Sequence, residues 1–179
     1  MKIYTIGHST RSLEEFLGAL RAYGIGALAD IRAFPGSTRY PHFGKASLEQ
    51  SLEAAGIRYV WMGEGLGGYR KKAEGLGTDS PNKGLRSQSF RAYADYMMSG
   101  AFKDAASQLI LLAEQGPTAM MCAEKLYWRC HRLLVSDYLT SLGHEVCHII
   151  DDKTLTPHRL SQAARVSDGI LSYPETPKG

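Results

Sequence analysis

Short apolar runs alternate with segments of helical periodicity along the whole chain, and this alternation most constrains what it can fold into. Lys2 to Gly7, Ala27 to Ile31, Ile57 to Met62, Thr118 to Cys122 and Glu145 to Ile150 are rich in β-formers and mostly too short for helices. Between them, apolar residues recur at helical spacing, as in Leu13, Phe16, Leu17 and Leu20, or Phe90, Tyr93 and Met97. Ser12 with Glu15 forms a capping box for the first helix, and Gly24 can end it. Ser47 with Gln50 suggests the same device for the second. Further helices are expected over 90–98, 102–114 and 128–142, with a short one around 160–165. Repeated β-α-β units imply a parallel sheet covered on both faces. The expected fold is α/β: a single three-layer domain with a mostly parallel sheet of about five strands and helices on both faces. Residues 1–152 would carry the site, with the tail, 153–179, packed on the same domain.

Composition sets broad limits. With 179 residues, 44% hydrophobic and 22% charged, the chain is long enough for one substantial core. No apolar run approaches the ~20 residues of a membrane span, and the N-terminus reads as a strand rather than a signal region, so a cytoplasmic location is the expectation. Three cysteines, Cys122, Cys130 and Cys147, are too few for a disulfide scaffold. Cys147 sits in an apolar run and reads as a buried thiol. The net charge of +3 does not by itself indicate a nucleic-acid binder.

Reactive groups gather where strands end. The first strand ends in Gly7-His8-Ser9-Thr10, and the second in Asp30-Ile31-Arg32 followed by Pro35, Ser37 and Arg39. The third leads into a long loop, 63–86, with Gly63, Glu64, Gly65, Gly67, Gly68 and the basic run Arg70-Lys71-Lys72. The fourth runs into Cys122-Ala123-Glu124-Lys125-Leu126-Tyr127-Trp128-Arg129-Cys130-His131-Arg132. In a parallel sheet all these ends share one edge, where open α/β sheets bind ligands. His8, Asp30, Arg32, Cys122 and Glu124 are therefore expected to line one crevice.

The roles follow from side-chain chemistry. His8 suits a general acid or base. Cys122, near basic groups, is a candidate nucleophile or a small buried residue, with Glu124 or a histidine as proton partner. Cys130 and His131 complete the catalytic candidates. Arg32, Arg39 and Arg132 suit phosphate or carboxylate, and Ser9, Asp30, Ser37, Gly67, Gly68 and Arg70 join them as substrate-binding candidates. Asp30 and Arg32 can equally form an ion pair. Trp61, Tyr69, Tyr127 and Trp128 can stack on a planar group. A metal site using Cys122, Cys130 and His131, with His8 as a fourth candidate, is a minor alternative, but structural zinc usually shows tighter ligand pairs and no ligand set is assigned. The cofactor is left open by the sequence: neither the dinucleotide fingerprint nor the Walker A spacing occurs in its required setting.

Several of these pieces together, namely Thr5-Ile6-Gly7-His8-Ser9, Asp30-Ile31-Arg32 with Pro35 and Ser37, Leu66-Gly67-Gly68, Cys122-Ala123-Glu124 with Cys130-His131-Arg132, Leu155-Thr156-Pro157-His158 and Tyr173-Pro174, resemble the domain-of-unknown-function family 488 (DUF488). The resemblance covers nearly the whole chain in order. It implies a compact α/β domain whose polar motifs form a shared site, and it implies no reaction. The leading expectation is an enzyme acting on an anionic substrate, a nucleotide or a nucleic-acid component. The alternatives are a non-catalytic nucleotide or nucleic-acid binding module and a thiol redox or metal-binding protein.

Overall fold

A computed structural model describes residues 1–69 and 76–175. Its centre is a six-stranded sheet in the order β3-β2-β4-β1-β5-β6. The strands are β1 (Lys2–Gly7), β2 (Ala27–Asp30), β3 (Arg58–Trp61), β4 (Thr118–Cys122), β5 (Glu145–Ile149) and β6 (Leu155–Pro157). The first five are mutually parallel and β6 adds antiparallel to β5. The helices are α1 (Leu13–Ala22), α2 (Lys45–Ala54), the single turn α3 (Gly63–Leu66), α4 (Gln88–Tyr96), α5 (Gly100–Glu114) and α6 (Arg132–Ser141). No helix among the described residues is long and apolar enough to cross a membrane.

Strand alternation divides the core into two layers. Ile6, Leu28, Ala119, Met121 and Ile149 face α1 and α2, packing on Phe16, Leu20, Leu48 and Leu52. Ile3, Ala29, Ile31, Met120 and Val146 face the other way, onto Tyr93, Phe102, Leu109 and Leu134 from α4, α5 and α6. The chain runs outward from β1 through α1 to β2 and through α2 to β3. It then returns to place β4 between β2 and β1, and passes through α6 to β5. Right-handed crossovers taken in opposite directions put their helices on opposite faces. The chain leaves β1 toward one face and β4 toward the other, so the gap between these two neighbours is a topological switch point.

Several expectations need correction. The second helix is capped at Gly44 and Ser47 lies in its first turn, because a 3-10 turn at Pro41–Phe43 feeds directly into it. The helix expected from Trp128 begins only at Arg132. A separate 3-10 turn, Tyr127–Arg129, precedes it, and Cys130 is extended. The tail forms no helix at 160–165. It supplies β6 and a hairpin of β7 (Arg165–Ser167) and β8 (Ile170–Ser172), turned by Asp168 and Gly169, both at positive φ. The loop 63–86 contains α3 and a 3-10 turn at Gly77–Asp79.

A directed chain of buried hydrogen bonds ties this tail to the sheet. The Asp137 carboxylate of α6 accepts from His158 Nε2 (2.9 Å), Ser161 Oγ (2.6 Å) and Tyr173 Oη (2.9 Å). A carboxylate only accepts, so neutral His158 carries its proton on Nε2 and its Nδ1 receives the Nε2–H of His148 (3.0 Å). His148 Nδ1 then receives the hydroxyl of Thr5 (2.8 Å), whose oxygen accepts from Arg132 Nη1 (3.3 Å). Every link has one donor and one acceptor, as a buried polar network requires. The ring of Tyr127 stacks on His148, centroids 3.5 Å apart.

This network holds His148 neutral. Burial first, then the repulsion that a protonated His148 would meet from a second proton on the adjoining His158 ring and from the Arg132 charge, push its pKa down to about 3. The unfolded chain, with an ordinary histidine near 6.5, therefore binds more protons from about pH 6.5 down to the folded value. Stability is complete above that window and falls as pH drops into it. Urea unfolding should show a loss of about 1 kcal/mol from this group between pH 7 and 5.5. A midpoint unchanged over that interval would contradict the neutral assignment.

Candidate functional site

The switch point opens into a crevice of about 330 Å³ lined by His8, Ser9 and Thr10 after β1, Arg32, Phe34, Gly36, Ser37, Arg39 and Tyr40 after β2, and Ala123, Glu124 and Lys125 after β4. Two backbone bonds, His8 N to Cys122 O and Ser9 N to Ala123 O, both 2.9 Å, continue the β1–β4 pairing past the strands and fix the rim. Gly7 is required here: a Cβ would collide with the Glu124 carbonyl and the Arg132 guanidinium. Ser9 has φ +52, a left-handed conformation that costs a non-glycine residue about 1–3 kcal/mol and tends to persist at functional sites.

Arg32 forms the crevice wall. It is buried and forked onto Asp30, with Nε to Oδ1 at 2.8 Å and Nη2 to Oδ2 at 2.6 Å. Asp30 also accepts Tyr59 Oη (2.7 Å) and the backbone N–H of Arg32 (3.1 Å). Arg32 Nη1 reaches the Phe43 carbonyl (2.8 Å) and His8 Nε2 (3.4 Å). Four of its five N–H groups are thus engaged, which makes it a fixed positive wall rather than an open fork. Asp30 lies behind it, fully buried, and orients it.

His8 is buried and stacks on Phe43 at 4.2 Å. Its Nδ1 faces the Ser9 carbonyl at 3.0 Å, so Nδ1 carries the proton and Nε2 keeps the lone pair beside Arg32. Burial chiefly, and then the Arg32 charge, lower its pKa to about 4. It is a neutral base at physiological pH. Glu124, Lys125 and Arg39 are exposed at the rim. One Glu124 oxygen accepts the Leu126 backbone N–H (3.0 Å). Ser37 Oγ accepts from Tyr40 N (3.1 Å) and shapes the turn. Phe34, 72% exposed, has the Tyr69 ring 5.6 Å away.

The single crevice expected from sequence divides in two. Asp30 pairs in register with Met121, so Cys122 and Met120 point to the opposite face from Asp30. There the Cys122 sulfur lies 4.0 Å, and the Cys130 sulfur 3.5 Å, from Nδ1 of His131. Because Cys130 is extended rather than helical, it and His131 face the same spot, which helix geometry would forbid. His131 Nε2 bonds the Ile31 carbonyl (3.2 Å), and Tyr93 packs edge-on at 5.2 Å. Gly68 belongs to this cluster, since a Cβ there would run into the His131 ring at Nδ1, while Gly67 packs on Gly63 and Ala33. The pKa of Cys130 is lowered by the Cys122 hydrogen bond and by His131, and that of Cys122 is raised by the same contact and by burial.

Arg132, expected at the substrate, is buried and holds the Glu124 and Lys125 carbonyls. Arg70 lies outside the described residues. Sequence reasoning missed Arg11, whose guanidinium ties the carbonyls of Gly7 and Ile150, and Tyr59 and Phe43, which brace Asp30 and His8; Trp61, expected to stack on a planar group, instead donates its Nε1–H to the Arg32 carbonyl. Only Arg11, within the polar run after β1, carried a local signal.

The profile of the family described as domain of unknown function DUF488 matches residues 12–139, more than half of the chain, and the chain belongs to that family. No curated protein and no solved structure matches it.

Removing the buried partner of a fixed cation is costly. Asp30→Ala should destabilise by about 3–5 kcal/mol, since it strands the Arg32 charge. Arg39→Ala, at an exposed position, should stay within about 0.5 kcal/mol. Equal losses in urea unfolding would contradict these assigned roles.

Proposed function

We propose that this member of the DUF488 family is an enzyme acting on an anionic, phosphate-bearing substrate of the nucleotide or nucleic-acid kind, bound in the switch-point crevice. The observation that carries the reading is the convergence there of a neutral base, His8, a fixed cation, Arg32, two rim cations, Arg39 and Lys125, and a carboxylate, Glu124.

The groups divide the work by their environments. Arg39 and Lys125 supply the donors that reach a phosphate, and Arg32 supplies a positive field from a wall that needs no reorganisation. His8 Nε2 accepts a proton. Its pKa of about 4 belongs to the free crevice, and a bound dianion raises it toward neutrality, so the base strengthens when substrate arrives. Glu124 is the second proton-transfer group. The exposed ring of Phe34, next to Tyr69, offers a planar surface for a base. This reading assigns Cys122, Cys130 and His131 no proton transfer, because they lie on the opposite face of the sheet.

A panel of nucleoside mono-, di- and triphosphates and a short single-stranded oligonucleotide tests the proposal, with binding read by calorimetry and products by chromatography. Arg39→Ala with Lys125→Ala should weaken binding at least about 10-fold, near 1.4 kcal/mol. His8→Gln should abolish turnover while affinity changes by less than about 3-fold. Binding that ignores the rim substitutions would refute the anion site. Binding that falls with salt but never yields product would favour a non-catalytic module.

A further inference from the structure

The cluster on the other face, Cys122, Cys130 and His131, is absorbed neither by the proposed function nor by the packing of the core. Its three ligand atoms, two Sγ and one Nδ1, lie within 4.8 Å of one another. We infer that these three residues form a metal site of the Cys₂His type, with zinc(II) as its ion.

Three independent features of the geometry support this. The first is spacing. Tetrahedral zinc with Zn–S of about 2.3 Å and Zn–N of about 2.0–2.1 Å separates sulfur and nitrogen ligands by about 3.6 Å. The two Sγ–Nδ1 distances are 3.5 and 4.0 Å, so an ion enters with shifts of a few tenths of an ångström. The second is the tautomer. The Ile31 carbonyl can only accept, so in neutral imidazole the His131 proton sits on Nε2 and the Nδ1 lone pair faces the two sulfurs. A backbone carbonyl that orients the far nitrogen is the usual outer support of a histidine ligand. The third is space. The residue beside Nδ1 is Gly68, and any Cβ there would occupy the volume next to that nitrogen.

The chemistry of the set selects the ion. Two thiolates and an imidazole are soft to borderline donors that suit zinc and disfavour magnesium or calcium. Two thiolates also neutralise a divalent ion, which removes the cost of an unpaired charge beside buried Cys130 and His131. Among the described residues no fourth cysteine, histidine or carboxylate joins the group. The segments that supply the ligands are fixed from both sides: Cys122 ends β4, while Cys130 and His131 follow a 3-10 turn whose backbone closes on Leu126 and Tyr127.

The full chain, stripped with chelator under reducing conditions, is titrated with zinc against a competing indicator dye. Zinc should bind at one equivalent per chain and raise the melting temperature. Cys122→Ser, at the half-buried ligand, should weaken binding by about 100-fold or more, beyond the 10–100-fold effect of losing an outer-shell partner. Cys147→Ser, a thiol paired with Glu145 instead, should leave binding unchanged. Cobalt(II) should give a thiolate-to-metal charge-transfer band that Cys122→Ser removes. No saturable zinc uptake by the folded chain would overturn the site, as would zinc binding that survives Cys122→Ser. So would a Cys122–Cys130 disulfide, found by peptide mapping, in protein that takes up no metal after reduction. The His8→Gln variant should bind zinc normally, so the fate of this site is read separately from that of the crevice.

Discussion

A single buried cation holds the C-terminal end of the sheet together. Arg132, at the first turn of α6, is 1% exposed and has no carboxylate within ion-pair distance among the described residues. Its guanidinium instead grips the carbonyls of Glu124 and Lys125 and the hydroxyl of Thr5. Burying an arginine is costly, and the cost is met only where polar groups converge on it. Here they converge because β4 must turn sharply over β1, and Gly7 lets the two backbones touch. One side chain thus fixes the rim that presents Glu124 and Lys125. It also anchors the hydrogen-bond chain through His148, His158 and Asp137 to the tail.

The sheet then works as a partition. Its strand ends bring the reactive residues to one edge, but alternation sends them to different faces. Asp30, Arg32 and His8 belong to the α1–α2 side, where the switch point opens a crevice with a neutral base and a cationic wall. Cys122, Cys130 and His131 belong to the α4–α6 side, where thiols and imidazole meet with Gly68 beside them. The Ile31 carbonyl, bonded to His131, lies one residue before Arg32, so the two clusters are braced by the same short segment after β2. The two proposed chemistries, acid–base transfer and soft-ligand coordination, would interfere in a single pocket, and one layer of backbone separates the groups that would carry them.

The α/β class, the strand positions and the convergence at the strand ends were legible in the sequence because periodicity and capping act locally. Ser12 with Glu15 forms the capping box as read, and Asp30 with Arg32 forms the ion pair that was one of two readings. The division of the site was not legible. It depends on register, Asp30 beside Met121, and register between strands ninety residues apart leaves no local trace. The extended backbone at Cys130 was hidden for a related reason. The run from Trp128 has helical periodicity, yet Arg132 and the Tyr127 stack on His148 impose a tertiary constraint that delays the helix. The tail was misread in the same way: Leu155 to Pro157 is too short to announce a strand and becomes one only because β5 offers a free edge.

The most direct test of this two-sided account is a histidine side-chain NMR titration of the full chain with inorganic phosphate. The account predicts that the His8 ring signals shift and its pKa rises from about 4, while the His131 signals stay in place. Equal and simultaneous shifts of His8 and His131 would mean that the two clusters form one site, and would contradict the partition.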